Sequence, residues 1–208
     1  MNYISQPAGD RRCGAYAFAY WKWKDDEENG RPYILTEAEA DNYVQSIYNN
    51  IVFNANDLNY MRGLGVPGVN VDELIGFSAP SKICVNLNSS GISREYGTEA
   101  IIYTSQNSIF NLLGKIGTIT KIDKINDLKS GEKAILLVSN NTIPRHYIFA
   151  YGSNDLNADG QVIMHVIDPA DGIDVDTDAN LSNWIGYRKN GIDYDFLNTV
   201  IKFGHNIP

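Results

Sequence analysis

Apolar positions recur every three to four residues through roughly the first eighty residues, and alternate or run together in short stretches after that. From Gly14 to Trp23, small and aromatic residues mix on every side, and the alanines favour a buried helix over a strand. Cys13 stands just before this stretch, in the first turn of the expected helix. Asp25 to Asn29 then reads as a solvated acidic loop. Thr36 and Glu39 form a capping-box pattern ahead of Ala40, Tyr43, Val44, Ile47, Tyr48 and Ile51, which repeat at helical spacing. The glycines and proline between residues 61 and 69 predict a loop, with Asn70 capping a short helix through Gly76. A lobe boundary is expected near residue 80.

The second half predicts strands at Ile83–Leu87, Thr118–Ile122, Ala134–Val138, His146–Tyr151, Gln161–Asp168 and Val200–Phe203. One helix interrupts them, capped by Ser105, faced by Ile109, Leu112, Leu113 and Ile116, and ended at Gly117. The whole pattern predicts an α+β chain with a helical lobe over about 1–80 and a β lobe over about 81–208.

Composition adds limits. Of 208 residues, 43% are apolar and 20% charged, a globular balance. The formal net charge is -8, with 25 acidic against 17 basic residues and no basic run, which argues against a nucleic-acid partner. No stretch approaches the roughly 18 apolar residues of a membrane span, and the N-terminus shows no secretory signal pattern. A soluble, cytoplasmic or signal-independently exported protein is expected.

Two cysteines do not make a disulfide framework. Cys84 lies in the apolar run Ile83-Cys84-Val85 and reads as an inert strand residue. Cys13 is different. A helix N-terminus favours a thiolate, Arg11 and Arg12 stand beside it, and Gly14 is expected to leave room for a substrate backbone.

A nucleophilic cysteine needs a base, and the chain has three histidines. His205 is close to the C-terminus, and His165 lies inside an apolar strand pattern. His146 opens a strand. The strands around the polar loop Asn154–Gly160 predict a hairpin, and pairing symmetric about Asn157 sets His146 opposite Asp168. Directly opposed residues share a face, with Cβ atoms roughly 4.5–5.5 Å apart. Asp168 is therefore placed to orient the His146 ring, while His165 faces away. The Cys13 backbone N–H and the Gln6 amide are candidate oxyanion donors.

Gln6, Cys13-Gly14 opening an apolar helix, His146-Tyr147 opening a strand and Asp168-Pro169 closing the next one together resemble the papain-like cysteine peptidase superfamily. Within it, the pattern looks most like the bacterial peptidases related to those that cleave double-glycine leaders from bacteriocins. The 133 positions between Cys13 and His146 suit that superfamily. The resemblance implies one catalytic domain over 1–208, a helical N-terminal lobe packed on an antiparallel β lobe, and a cleft between them. It implies Cys13 as nucleophile, His146 as base, Asp168 as orienting acid and Gln6 in the oxyanion hole, acting on protein or peptide substrates without metal or cofactor. Many such proteins are bacterial, and some are secreted effectors or toxins. Gln6 precedes Cys13 by seven positions, where these families usually have one fewer, and Pro7-Ala8-Gly9 is the place for the extra residue. Asn183-Trp184 resembles the family's Asn-x-Trp region too faintly to carry a role.

Three other readings stay open at this stage. The same triad runs glutamine deamidation or transglutamination, since all begin with thiolate attack on an amide. An inactive member of the fold would serve as a binding module. Asp155, Asn157, Asp159 and Gly160 match the opening of a calcium loop, but Val166 stands where the bidentate Glu belongs, so a hairpin turn is expected. The later acidic run from Asp171 to Asp178 is expected to be a solvated loop.

Overall fold

The computed structural model describes residues 3–32, 36–65, 70–89, 99–104, 120–121, 125–177, 181–182, 187–189 and 191–204. The helix expected at Ser105–Gly117, Asn183-Trp184 and His205 lie outside these residues. Helices α1 (Cys13–Glu28), α2 (Glu37–Ile51), α3 (Ala55–Leu64) and α4 (Pro80–Ser89) come first, with a 3-10 turn at Val71–Leu74 between the last two. Strands follow: β1 (Glu99–Thr104), β2 (Thr120–Lys121), β3 (Lys133–Ser139), β4 (His146–Leu156), β5 (Val162–Ile167), β6 (Asp174–Thr177), β7 (Tyr187–Lys189) and β8 (Ile192–Gly204). The chain is thus mixed α+β.

Helix α1 is buried on all sides from Cys13 to Trp21, as its unbroken apolar run demands. Its C-terminal turn corrects the expected acidic loop. Asp25 and Asp26 are buried in that turn, where Lys133 of β3 meets Asp25 at 3.3 Å and Glu28 at 2.6 Å. Arg31 completes the cluster by pairing with both aspartates. The acidic run therefore ties the helix to the sheet. Helix α2 starts at Thr36, whose hydroxyl accepts the Glu39 N–H at 3.3 Å, and buries Ala40, Val44, Ile47 and Ile51. Helix α3 extends through residues 61–64, which were expected in a loop, and stops at Gly65 in the left-handed conformation.

Ile83–Leu87 is helix, not strand, so the change from helix to sheet falls after Ser89 rather than near residue 80. Pro80 suits a first helical turn, and Ile83, Cys84 and Leu87 share the buried face while Val85 is exposed. Cys84 is buried as expected, with its thiol donating to the Ala100 carbonyl at 3.1 Å.

The sheet runs β2-β1-β8-β3-β4-β5-β6, antiparallel except for β1–β2, with β7 pairing the first part of β8. One face carries Ile135, Tyr147, Phe149, Tyr151, Ile167, Ile201 and Phe203 and packs against α1, α2 and α4. The other face carries Leu136, Val138, Ile148, Ala150, Val166 and Val200, covered by Ile125, Leu128, Leu181, Tyr187 and Tyr194. Two buried faces account for the nearly continuous apolar sequence of β4.

Strand β8 is bent where its register with β3 shifts between Leu136 and Val138. Asn198 adopts a φ of 51° there, a conformation Asn tolerates better than other side chains. Past the shift β8 still pairs β3 at Phe196 and Asp195, and its first residues form a hairpin with β7. The expected acidic loop after Asp171 is also partly strand. In β6, Asp174 accepts from Tyr151 Oη at 2.6 Å and meets His165 Nδ1 at 3.0 Å.

Candidate active site

Cys13 is the first residue of α1, with Arg12 at the N-cap position. The first helical turn has its N–H groups directed out of the helix, so Cys13 and Gly14 have no intrahelical acceptor. Asp10 holds this corner by accepting the Arg12 N–H at 2.9 Å. The Arg12 guanidinium joins Asp10, Asp41 and Gln45 at 2.7, 2.7 and 3.1 Å.

Gly14 has a packing role, which corrects the expectation that it clears a path for substrate. A Cβ there would lie 2.5 Å from Ser78 Cβ and Oγ and 3.2 Å from the Tyr147 ring. Tyr147 Oη donates to the Ser78 carbonyl at 2.9 Å. The loop before α4, the start of α1 and the start of β4 therefore meet at one point, which sets Cys13 beside His146.

His146 is buried at the start of β4 and hydrogen-bonds at Nε2 to Asp168 Oδ1 across 2.7 Å. A carboxylate only accepts, so Nε2 carries the proton toward Asp168. The Cys13 side chain also lies close enough to act on the His146 charge. With Nε2 occupied, Nδ1 is the ring nitrogen left for the thiol. Burial works to lower the imidazole pKa, but the hydrogen bond to Asp168 and the nearby Cys13 outweigh it and push His146 up to about 9. The Tyr194 ring, from β8, lies 6.0 Å from the imidazole and covers it.

Asp168 is fully buried just past the end of β5. Burial alone would raise its carboxyl. His146, the Ala170 N–H at 2.8 Å and Lys189 prevail and hold it below its ordinary 3.8. The register expected from the sequence is off by two residues. Phe149 pairs with Ile167 and Ala150 with Val166, which continues to Ile148, not His146, opposite Asp168. The turn is centred on Asp159, where Leu156 pairs with Val162, and the irregularity between Gly152 and Leu156 takes back two of the four positions this would cost. His165 turns to the other face, as expected, and stacks on Tyr151 at 5.0 Å.

Gln6 reaches the site through its backbone, whose N–H donates to the Pro169 carbonyl at 2.7 Å. Its amide Nε2 donates to the Asp10 carbonyl, and Oε1 is buried without a partner among the described residues. Tyr3 N–H to Gly172 O at 2.7 Å extends this strap, so the N-terminal segment clasps the loop that carries Asp168.

Sequence reasoning missed Lys189 and Tyr194. Lys189 Nζ lies 3.5 Å from Asp168 Oδ2 and also pairs with Asp171. The Asn190-Gly191 step between Lys189 and Ile192 is a two-residue hairpin pattern that could have revealed both. The calcium-like loop is closed on itself, since Asn157 Oδ1 accepts from Asp159 N–H at 3.0 Å and Gln161 N–H at 2.9 Å. Among the described residues, no helix is long and apolar enough to cross a membrane. No family model, curated protein or solved structure matches the chain.

Proposed function

We propose that this protein is a papain-like cysteine peptidase that cleaves peptide or isopeptide bonds through a thioacyl-enzyme. The observation that carries this reading is that one buried imidazole bonds Asp168 and is acted on by the nearby Cys13 side chain, with Cys13 at a helix N-terminus. A nucleophile, a base and an orienting acid in that order are what thiolate attack on an amide requires.

In the proposed reaction, Cys13 gives its proton to His146, and the raised imidazole pKa favours that transfer. The thiolate attacks the carbonyl carbon and the oxygen becomes an oxyanion. The free N–H groups of the first turn of α1 are aimed to receive it, and Gln6 keeps one amide hydrogen beyond that given to Asp10. His146 then passes its proton to the leaving amine as the C–N bond breaks. Water, deprotonated by His146, hydrolyses the thioester and restores Cys13.

The test is the alkylation rate of Cys13 against pH in wild type and His146→Ala, followed by mass spectrometry with Cys84 as internal control. An activated pair gives fast modification of Cys13 well below neutral pH, slowed at least tenfold by the substitution. Reaction of Cys13 at the rate of an ordinary thiol, indifferent to His146, rules the enzyme out and leaves a binding module. Once a substrate is found, backbone scission marks hydrolysis, and a gain of about one dalton marks deamidation.

A further inference from the structure

The chain carries more carboxylates than cations, 25 against 17, so its arginines have partners within easy reach. Four of the six described ones use them. Arg12 pairs with Asp10 and Asp41, Arg31 with Asp25 and Asp26, Arg62 with Asp72, and Arg188 with Asp193. Among the described residues, Arg11 and Arg145 form no ion pair.

These two occupy particular places. Arg11 stands two residues before Cys13, and Arg145 immediately before His146. Arg11 rests its guanidinium 5.7 Å from the centre of the Phe77 ring, beside Gly76. Tyr48 feels the charges of both Arg11 and Cys13, and Tyr147 those of both Arg145 and Cys13. Because Cys13 acts on His146 from close by, both unpaired arginines stand next to the reacting pair in the chain, one beside each member. The nearest acids are taken: Asp10 by Arg12, Asp168 by His146 and Lys189.

We infer that the substrate is an acidic polypeptide segment, with Asp or Glu side chains on both sides of the scissile amide received by Arg11 and Arg145. The inference rests on the peptidase reading above. Arginine binds carboxylates in planar, paired geometry. Arg145 adjoins the residue that protonates the leaving amine, so its carboxylate belongs to the leaving side, and Arg11 serves the acyl side.

Iodoacetate and iodoacetamide test this, since they transfer similar groups to sulfur with the same leaving iodide and differ in charge. The ratio of their rates at Cys13 is expected to fall about tenfold in Arg11→Gln/Arg145→Gln and to survive in Arg11→Lys/Arg145→Lys. Arg62→Gln, remote and already paired, serves as the control. Capped hexapeptides with Glu on both sides of the central amide are expected to protect Cys13 from iodoacetamide about tenfold better than their Gln counterparts. An activated Cys13 whose reagent ratio ignores the double substitution, or which is protected equally by both peptides, overturns the acidic-substrate inference and leaves the peptidase reading standing. A wild-type Cys13 inert to both reagents overturns the two together.

Discussion

His146 Nε2 lies 2.7 Å from Asp168 Oδ1 although the two residues are diagonal rather than directly opposed on neighbouring strands. Diagonal neighbours stand roughly 7–8 Å apart along the backbone, a gap that an imidazole and a carboxylate together close. The pair is buried, so each charge depends on the other. The gap between about 9 and the ordinary 6.5 of histidine corresponds to roughly 3 kcal/mol favouring the charged ring. The sign follows from linkage. A raised imidazole stabilises the fold fully below about 6.5 and loses that contribution as pH rises through about 9. A lowered carboxyl contributes above 3.8 and loses it as pH falls through its depressed value. Asp168→Asn is therefore expected to cost most stability between about pH 4 and 6.5 and little near pH 10. Denaturant melts of both proteins across that range check this, and nuclear magnetic resonance titration should show the His146 transition falling below about 9 in the variant. A stability difference that is flat with pH contradicts the assignment.

Gly14 is the tightest point behind the thiol. Gly14→Ala places a methyl group 2.5 Å from Ser78 Cβ, an atom fixed to the backbone, so something must move. Overpacking of this kind costs about 1–3 kcal/mol. The movement separates α1 from the loop before α4, and Cys13 is the next residue along. Loss of stability is expected together with slower alkylation of Cys13. Ser78→Gly removes both clashing atoms, so the double variant Gly14→Ala/Ser78→Gly should recover most of the alkylation rate. Stability and reactivity left unchanged by Gly14→Ala would mean that the corner is looser than described.

How far the site could be read from sequence depends on what each residue needed. The contact between His146 and Asp168 was legible because a strand alternates with period two. The actual register differs from the expected one by an even number, which keeps both side chains on one face. An odd slip would have separated them. The buried helix behind Cys13 was legible in its unbroken run of apolar residues. Helix α4 was not, because Ile83, Val85 and Leu87 alternate like a strand, and only the exposure of Val85 decides the matter. The acidic end of α1 was read as loop because its neutralising cation, Lys133, lies 108 residues from Asp25. Gly14 was read as an opening because nothing local shows that Ser78 fills it.

Lys189 was hidden for a similar reason, and its role is open to a direct test. Asp168 divides its two oxygens: Oδ1 serves His146 and the Ala170 N–H, while Oδ2 faces Lys189 at 3.5 Å. The lysine arrives on β7, whose hairpin with β8 also brings Tyr194 over the imidazole. Lys189 thus acts on the proposed base through Asp168, as a positioning residue. Lys189→Met leaves a buried carboxylate with less positive charge beside it, at a cost of about 2 kcal/mol, moderated by some exposure of the lysine. Its removal also has a signature that simple destabilisation lacks. Without the cation, Asp168 takes up its proton at higher pH, and His146, relieved of a like charge, gives up its own at higher pH. The pH window over which His146 slows or speeds Cys13 alkylation should therefore shift upward as a whole. Lys189→Arg retains the charge and should keep the wild-type window even if packing costs some stability. A Lys189→Met protein that melts earlier but shows the wild-type pH profile would reduce the lysine to a structural prop. A shifted profile that Lys189→Arg restores would make the hairpin of β7 and β8 part of the machinery that sets the protonation of His146.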